Sequence, residues 1–277
     1  MKKFILLIIV LCLFINVFGQ SAYPFDVKIS GTGKKSILFI PGLSCSGDVW
    51  NETVEHYKKD YTCYVLTFHG FAGTKADSSN SYANWEQQIA RYIQEKHLQK
   101  PAIIGHSIGG GMAMLLASDY PGLISKIVVV DALPCLGAAM NPAFAAEKNP
   151  NCAPYVAQFA QLDEQMFYKS QKATIASMMA DTVHREQAVQ WSVRSDRKTL
   201  AEIYCQFLNT DLREKIAAVK CPALVLLEAS FAGIKPVVEE QFKNMKTAKL
   251  QYSDKALHFI MYDDSKWYFE QTAAFLD

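Results

Sequence analysis

Short, continuous apolar runs recur along this chain and alternate with stretches in which apolar positions return every three or four residues. Ser36–Ile40 and Tyr61–Phe68 are bulky runs closed by Pro41-Gly42 and His69-Gly70, so they read as buried strands ending in turns. Ile103–Ile104, Ile127–Val130 and Ala223–Leu227 continue the series, with Lys249–Tyr252 a weaker member. The helical period falls between them, over Trp50–Tyr57, Asn84–Glu95, Met112–Ser118 and Trp267–Phe275. Apolar strands alternating with amphipathic helices predict an α/β fold with a mostly parallel central sheet flanked by helices. Ligands of such sheets bind beyond the C-terminal ends of the strands, where Gly42, Ser107, Asp131 and Glu228 all fall.

From Pro134 to about Val219 no strand-like run occurs, and helices are predicted near Pro154–Ser170, Lys172–Met179, Arg185–Ser192 and Thr199–Phe207. Residues 134–219 therefore read as a helical cap inserted into a core made of 20–133 and 220–277. The insertion leaves from a strand's C-terminal end, which puts it over the candidate site. Phe144, Phe159, Met166, Phe167, Met178, Met179 and Trp191 are candidates to line an apolar pocket there.

Residues 1–19 have another character, with Lys2 and Lys3 ahead of an apolar stretch of about fifteen residues, short for a bilayer span. Val17 and Gly19 are small enough for cleavage before Gln20 or Ser21, so a signal peptide and a secreted or periplasmic protein are expected. An uncleaved anchor is the alternative. Removing the segment changes the net charge from +1 to −1, with no basic cluster to suggest nucleic acid or an anionic membrane as partner. Roughly 255 residues remain, enough for one sizeable core. Of the cysteines left, Cys63 lies in a strand-like run and reads as a buried thiol, while Cys135 and Cys152 flank a loop and are the pair expected to bridge. No cysteine and histidine spacing resembles a zinc site.

The chemistry concentrates at Gly105-His106-Ser107-Ile108-Gly109, between a strand and a small-residue helix. Glycines two before and two after Ser107 permit the strained turn that lifts a nucleophilic hydroxyl to the edge of a sheet. A serine needs a base, and His258 follows the last candidate strand as this topology requires. His106 reads as an oxyanion-side or supporting residue, His69 closes a strand at the mouth of the site, and His56, His97 and His184 read as surface residues. The orienting carboxylate has two candidates at strand ends, Asp131 and, as the alternative, Glu228; Asp263 and Asp264 lie too near His258 in sequence to be first choices. Charge developing on a carbonyl oxygen calls for two fixed donors. The N–H of Ile108 at the helix start is one, and the N–H of Leu43 in the loop after Ile40 is the other, with Gly42 allowing close approach and Ser44 able to add its hydroxyl.

At Ile40-Pro-Gly-Leu43, Phe68-His-Gly-Phe-Ala-Gly73, Gly105–Gly109, Val130-Asp131 and His258, the chain resembles the α/β-hydrolase superfamily over residues 36–277. The resemblance implies that fold, with a variable helical lid as in esterase, lipase and aminopeptidase-like members. Pro41 stands where a histidine is common, which leaves the backbone role intact. Glu228-Ala-Ser-Phe231 replaces the Gly-x-x-Asp pattern usual after the penultimate strand, and that moves the expected acid to Asp131. A serine nucleophile excludes the aspartate-ester route of members resembling epoxide hydrolases and haloalkane dehalogenases. The expected activity is hydrolysis of a small to medium, largely apolar ester through an acyl-enzyme, with no cofactor, no metal and no stable membrane partner. Amide or peptide cleavage comes next, then carbon–carbon bond hydrolysis. From a different class comes an inactive secreted binding protein on a hydrolase scaffold.

Overall fold

The structure is a computed structural model that describes residues 23–141 and 143–276; the expected signal peptide, residues 1–19, lies outside them. Its centre is a sheet of seven strands: β1 (Phe25–Ser30), β2 (Lys35–Ile40), β3 (Tyr61–Phe68), β4 (Ala102–His106), β5 (Lys126–Val130), β6 (Ala223–Leu227) and β7 (Ala248–Tyr252). Their spatial order is β1-β3-β2-β4-β5-β6-β7; β1 runs antiparallel to β3 and every other pairing is parallel. Phe25–Ser30 is a strand that the apolar pattern does not predict. It is an edge strand with mostly exposed or half-exposed positions, so its composition lacks the apolar run that marks the inner strands.

Eleven α-helices among the described residues complete the fold: α1 (Asn51–Tyr57), α2 (Tyr82–Glu95), α3 (Ile108–Asp119), α4 (Leu136–Met140), α5 (Ala153–Ala160), α6 (Glu164–Met178), α7 (Arg185–Arg194), α8 (Arg197–Leu208), α9 (Lys235–Phe242), α10 (Ile260–Asp263) and α11 (Ser265–Leu276). Alternate residues of the inner strands pack to opposite sides. Leu38, Ile40, Ile127, Val129, Val225 and Leu227 join α2, α3 and α9, whereas Ile37, Phe39, Val128, Val130, Leu224 and Leu226 join α1 and α11. Both faces of the sheet are thus covered, and the apolar strands are buried on each side. None of the helices among the described residues is long and apolar enough to cross a membrane.

Helices α4 to α8 fall between β5 and β6 and form the inserted cap. The expected helix over Pro154–Ser170 is divided, because Asp163 accepts a bond from the Met166 N–H at 2.7 Å and starts a new helix that runs unbroken through Gln171. The expected Cys135–Cys152 bridge is also corrected. Cys152, at the start of α5, bonds Cys205 on the buried side of α8, with Cα atoms 5.6 Å apart. Cys135 is instead a buried free thiol at the start of α4, where its N–H donates to Gln241 Oε1 at 3.0 Å. Cys63 is a buried free thiol, as its strand position suggested.

Candidate active site

Register brings the site together. Val130 pairs with His106 on one side and Leu226 on the other, so the residues after these strand ends, Ser107, Asp131 and the Leu227-Glu228 segment, emerge side by side. Ile40 pairs with Gly105, which lays the Pro41–Cys45 loop against the serine turn. Ser107 has φ +55° and ψ −122°, a conformation costly for a residue with a Cβ. It is held by Ser107 N–H donating to Val130 O at 2.9 Å and by Gly110 and Gly111 N–H donating to Ser107 O. The flanking glycines are compulsory: a Cβ on Gly105 would lie 2.1 Å from Gly109 O, and one on Gly109 2.4 Å from Ile40 O. The small-residue run therefore opens α3 at Ile108, four residues earlier than its composition suggested.

Asp131, also at positive φ, points Oδ2 at His258 Nδ1 at 2.6 Å. Its Oδ1 accepts from Glu228 N–H at 2.8 Å, so both carboxylate oxygens are engaged. With Nδ1–H donating to Asp131, Nε2 is left as the ring's acceptor. Of the two carboxylates considered, Asp131 meets His258. Glu228 presents its backbone N–H to Asp131 and its carboxylate to the Ser230 hydroxyl. Burial first, and then the Asp131 charge, push the Glu228 carboxyl above its ordinary pKa. Asp131, Glu228 and His258 place ligand atoms within 4.8 Å of one another, and the Asp131–His258 bond already uses Nδ1 and Oδ2.

The loop carrying His258 is fastened from three directions. His106 Nε2–H donates to His258 O at 3.0 Å, which fixes the His106 tautomer; burial and the adjacent His258 push the His106 pKa well below its ordinary value. Phe259 N–H donates to Met178 O at 3.3 Å, joining the loop to the end of α6 in the cap. Asp263 accepts from Leu257 N–H with Oδ2 at 3.0 Å and from Asp181 N–H with Oδ1 at 2.8 Å, so it braces the loop and does not pair with the imidazole. Asp264 accepts from Ser253 Oγ and pairs with Lys255 at 3.3 Å. Nothing in sequence pattern marks these braces, because they depend on where the cap lands.

Ser107, His258, Leu43 and Ile108 line one cavity of about 390 Å³ beneath the cap. Ile108 begins α3, so its N–H has no acceptor within the helix. Cys45 N–H donates to Gly42 O at 3.2 Å and turns the opposing loop, where Ser44 is buried at φ +61°. A Cβ on Gly42 would lie 2.8 Å from His106 Nδ1 and 3.3 Å from Ser107 Cβ, so this glycine sets the close approach. Of the seven cap residues expected to line a pocket, Phe159 and Met178 do. Phe167, Met179 and Trp191 are buried in the packing, Met166 is exposed, and Phe144 packs over Gly137. His69 is displaced from the cavity and faces Asp26 at 3.3 Å. His184 is not a simple surface residue: its ring stacks on Tyr262 at 4.0 Å and its Nδ1 meets Asp181 at 2.9 Å.

Residues 35–204 match the family model described as alpha/beta hydrolase fold. Over 202 residues the chain is 25% identical to a pimeloyl-[acyl-carrier protein] methyl ester esterase of Vibrio atlanticus, covering 72% of this chain and 76% of that protein. An N-formylmaleamate deformylase of Pseudomonas putida is 22% identical over 266 residues, 95% of this chain and 96% of the relative. The crystal structure of a hydrolase from Pseudomonas aeruginosa superposes with a TM-score of 0.76 at 16% identity, covering 91% of this chain and 94% of the other.

Proposed function

The chain belongs to the α/β-hydrolase family, and on that premise we propose that it is a serine hydrolase cleaving a small to medium, largely apolar carboxylic ester. The observation that carries this reading is the 2.6 Å Asp131–His258 bond beside Ser107, at the floor of an apolar cavity. Ser107 Oγ attacks the acyl carbon while His258 Nε2 takes its proton. The carbonyl oxygen gathers negative charge facing the N–H groups of Leu43 and Ile108. The bond to the alcohol oxygen then breaks, and His258 returns the proton to the departing alkoxide. Water adds to the acyl-enzyme by the same path, releasing the carboxylic acid and restoring Ser107. Asp131 holds the imidazole in the accepting tautomer and stabilises the imidazolium that forms.

A fluorophosphonate probe combined with a panel of para-nitrophenyl esters tests the reading. One adduct on Ser107 and turnover of short and medium acyl esters are expected; no adduct and no turnover would overturn it and favour an inactive binding scaffold. Amide cleavage is the second reading, favoured by similarity to the deformylase along 95% of this chain. Amino-acid and formyl amides in the same panel separate the two. Action in an oxidising compartment is part of the proposal, supported by the Cys152–Cys205 bond. Peptide mapping of protein taken from the periplasmic and extracellular fractions checks it.

A further inference from the structure

Ser107 and His258 stand between two lobes of unlike chemistry. The larger is the cavity of about 390 Å³, whose lining contains no Asp, Glu, Lys or Arg. The smaller, about 230 Å³, shares Ser107, His258 and Phe207 with it and adds Leu133, Phe231 and the acidic residues Asp131 and Glu228. Leu43 and Ile108, the donors assigned to the carbonyl oxygen, line only the larger lobe. An ester with its carbonyl oxygen at those donors therefore has the smaller lobe open to its alcohol part, on the side where His258 must deliver a proton.

The charge in that lobe has the His258 ring and the Ser230 hydroxyl beside it but no Lys or Arg among the described residues. The neighbouring Asp131 adds a second negative charge to that of Glu228. A half-buried carboxylate without a cation is a costly arrangement, and a ligand that brings positive charge relieves it. Phe207 and Phe231 line the same space, and an aromatic face turned to a bound cation attracts it. A ring nitrogen of His258 lies within 4.8 Å of a Glu228 carboxylate oxygen, so a group held by Glu228 sits beside the imidazole.

We propose that the smaller lobe is an ammonium subsite, and that the preferred substrates are esters of an apolar acid with a short alcohol bearing a positively charged nitrogen. Glu228 is the specificity-determining residue. The inference rests on the serine-hydrolase reading above. It adds the chemical class of the alcohol.

The test uses two butanoate esters of one shape, the 2-(trimethylammonio)ethyl ester and the neutral 3,3-dimethylbutyl ester, on the protein and on Glu228→Gln. The quantity read is the ratio of kcat/KM values within each protein, which cancels any general damage from the substitution. The wild-type ratio is expected to favour the cation by about tenfold or more, to fall as salt is added, and to approach one in Glu228→Gln. Tetramethylammonium ion, as a competitive inhibitor of a neutral para-nitrophenyl ester, gives a second measurement that needs no variant. A wild-type ratio near one, a ratio unchanged in Glu228→Gln, or no inhibition by tetramethylammonium at salt-matched conditions would overturn the subsite. Turnover of neutral esters without preference refutes the subsite alone; absence of both turnover and fluorophosphonate labelling refutes the hydrolase reading and takes the subsite with it.

Discussion

Asp131→Asn tests the centre of the mechanism. Asp131 receives two donors, Glu228 N–H at 2.8 Å on Oδ1 and His258 Nδ1–H at 2.6 Å on Oδ2. Asparagine has one acceptor oxygen where aspartate has two. If that oxygen keeps the fixed backbone N–H of Glu228, the amide NH₂ faces Nδ1, which must then be a lone pair. The proton moves to Nε2, and the ring can no longer accept from Ser107. The substitution also removes the negative charge opposite the imidazolium. Together these predict a fall in kcat of about a thousandfold to ten-thousandfold, or about 4 to 5.5 kcal/mol in activation free energy. Steady-state hydrolysis of one para-nitrophenyl ester measures it, with circular dichroism to verify that the fold is retained. Glu228→Gln in the same assay is expected to lose tenfold or less. A kcat for Asp131→Asn within tenfold of the wild type, or severe loss only in Glu228→Gln, would refute the assignment.

Ser107→Ala should lower activity at least about a thousandfold and abolish the fluorophosphonate adduct seen by intact mass, with folding retained. Gly109→Ala drives a Cβ to 2.4 Å from Ile40 O, so it should cost about 1–3 kcal/mol or more of stability, read as a lower denaturant midpoint. Cys152→Ala opens a disulfide of sequence separation 53 and is expected to cost about 4 kcal/mol; peptide mapping without reductant should recover Cys152 joined to Cys205 and leave Cys135 unmodified until the protein unfolds. Burial and neighbouring Asp119 push the Glu86 carboxyl from an ordinary 4.5 up to about 7. The native state thus binds that proton more tightly than the unfolded chain, and stability declines as pH rises between those values. Glu86→Gln should accordingly raise Tm more at pH 8.5 than at pH 5.5.

The inner strands were legible because each is a short apolar run covered on both faces, and the serine turn because Gly105 and Gly109 are dictated by backbone contacts under 3 Å. What sequence could not settle was register and approach. Asp131 and Glu228 both end strands, and only the pairing of Val130 with His106 and Leu226, followed by the positive φ of Asp131, decides which carboxylate turns toward His258. The disulfide failed for a similar reason: Cys135 is close to Cys152 in the chain, but α8 folds back on α5 and offers Cys205 instead. Cap aromatics at helical spacing were ambiguous between lining and packing. Phe159 reaches the cavity while Phe167, on the next helix, is sealed beneath Arg197.

The contacts of Met178 and Asp181 with the 257–263 loop make one rim of the cap a mooring for the imidazole as well as a wall of the cavity. A lid swung outward from that rim would tug Leu257 and Phe259 with it and carry the base off its carboxylate. On the proposed mechanism, this seam therefore couples the placement of the cap to the placement of the histidine. On the other side of the cavity α5 carries Phe159, and the Cys152–Cys205 bond ties α5 to α8 so that these two cap helices hold together as one piece.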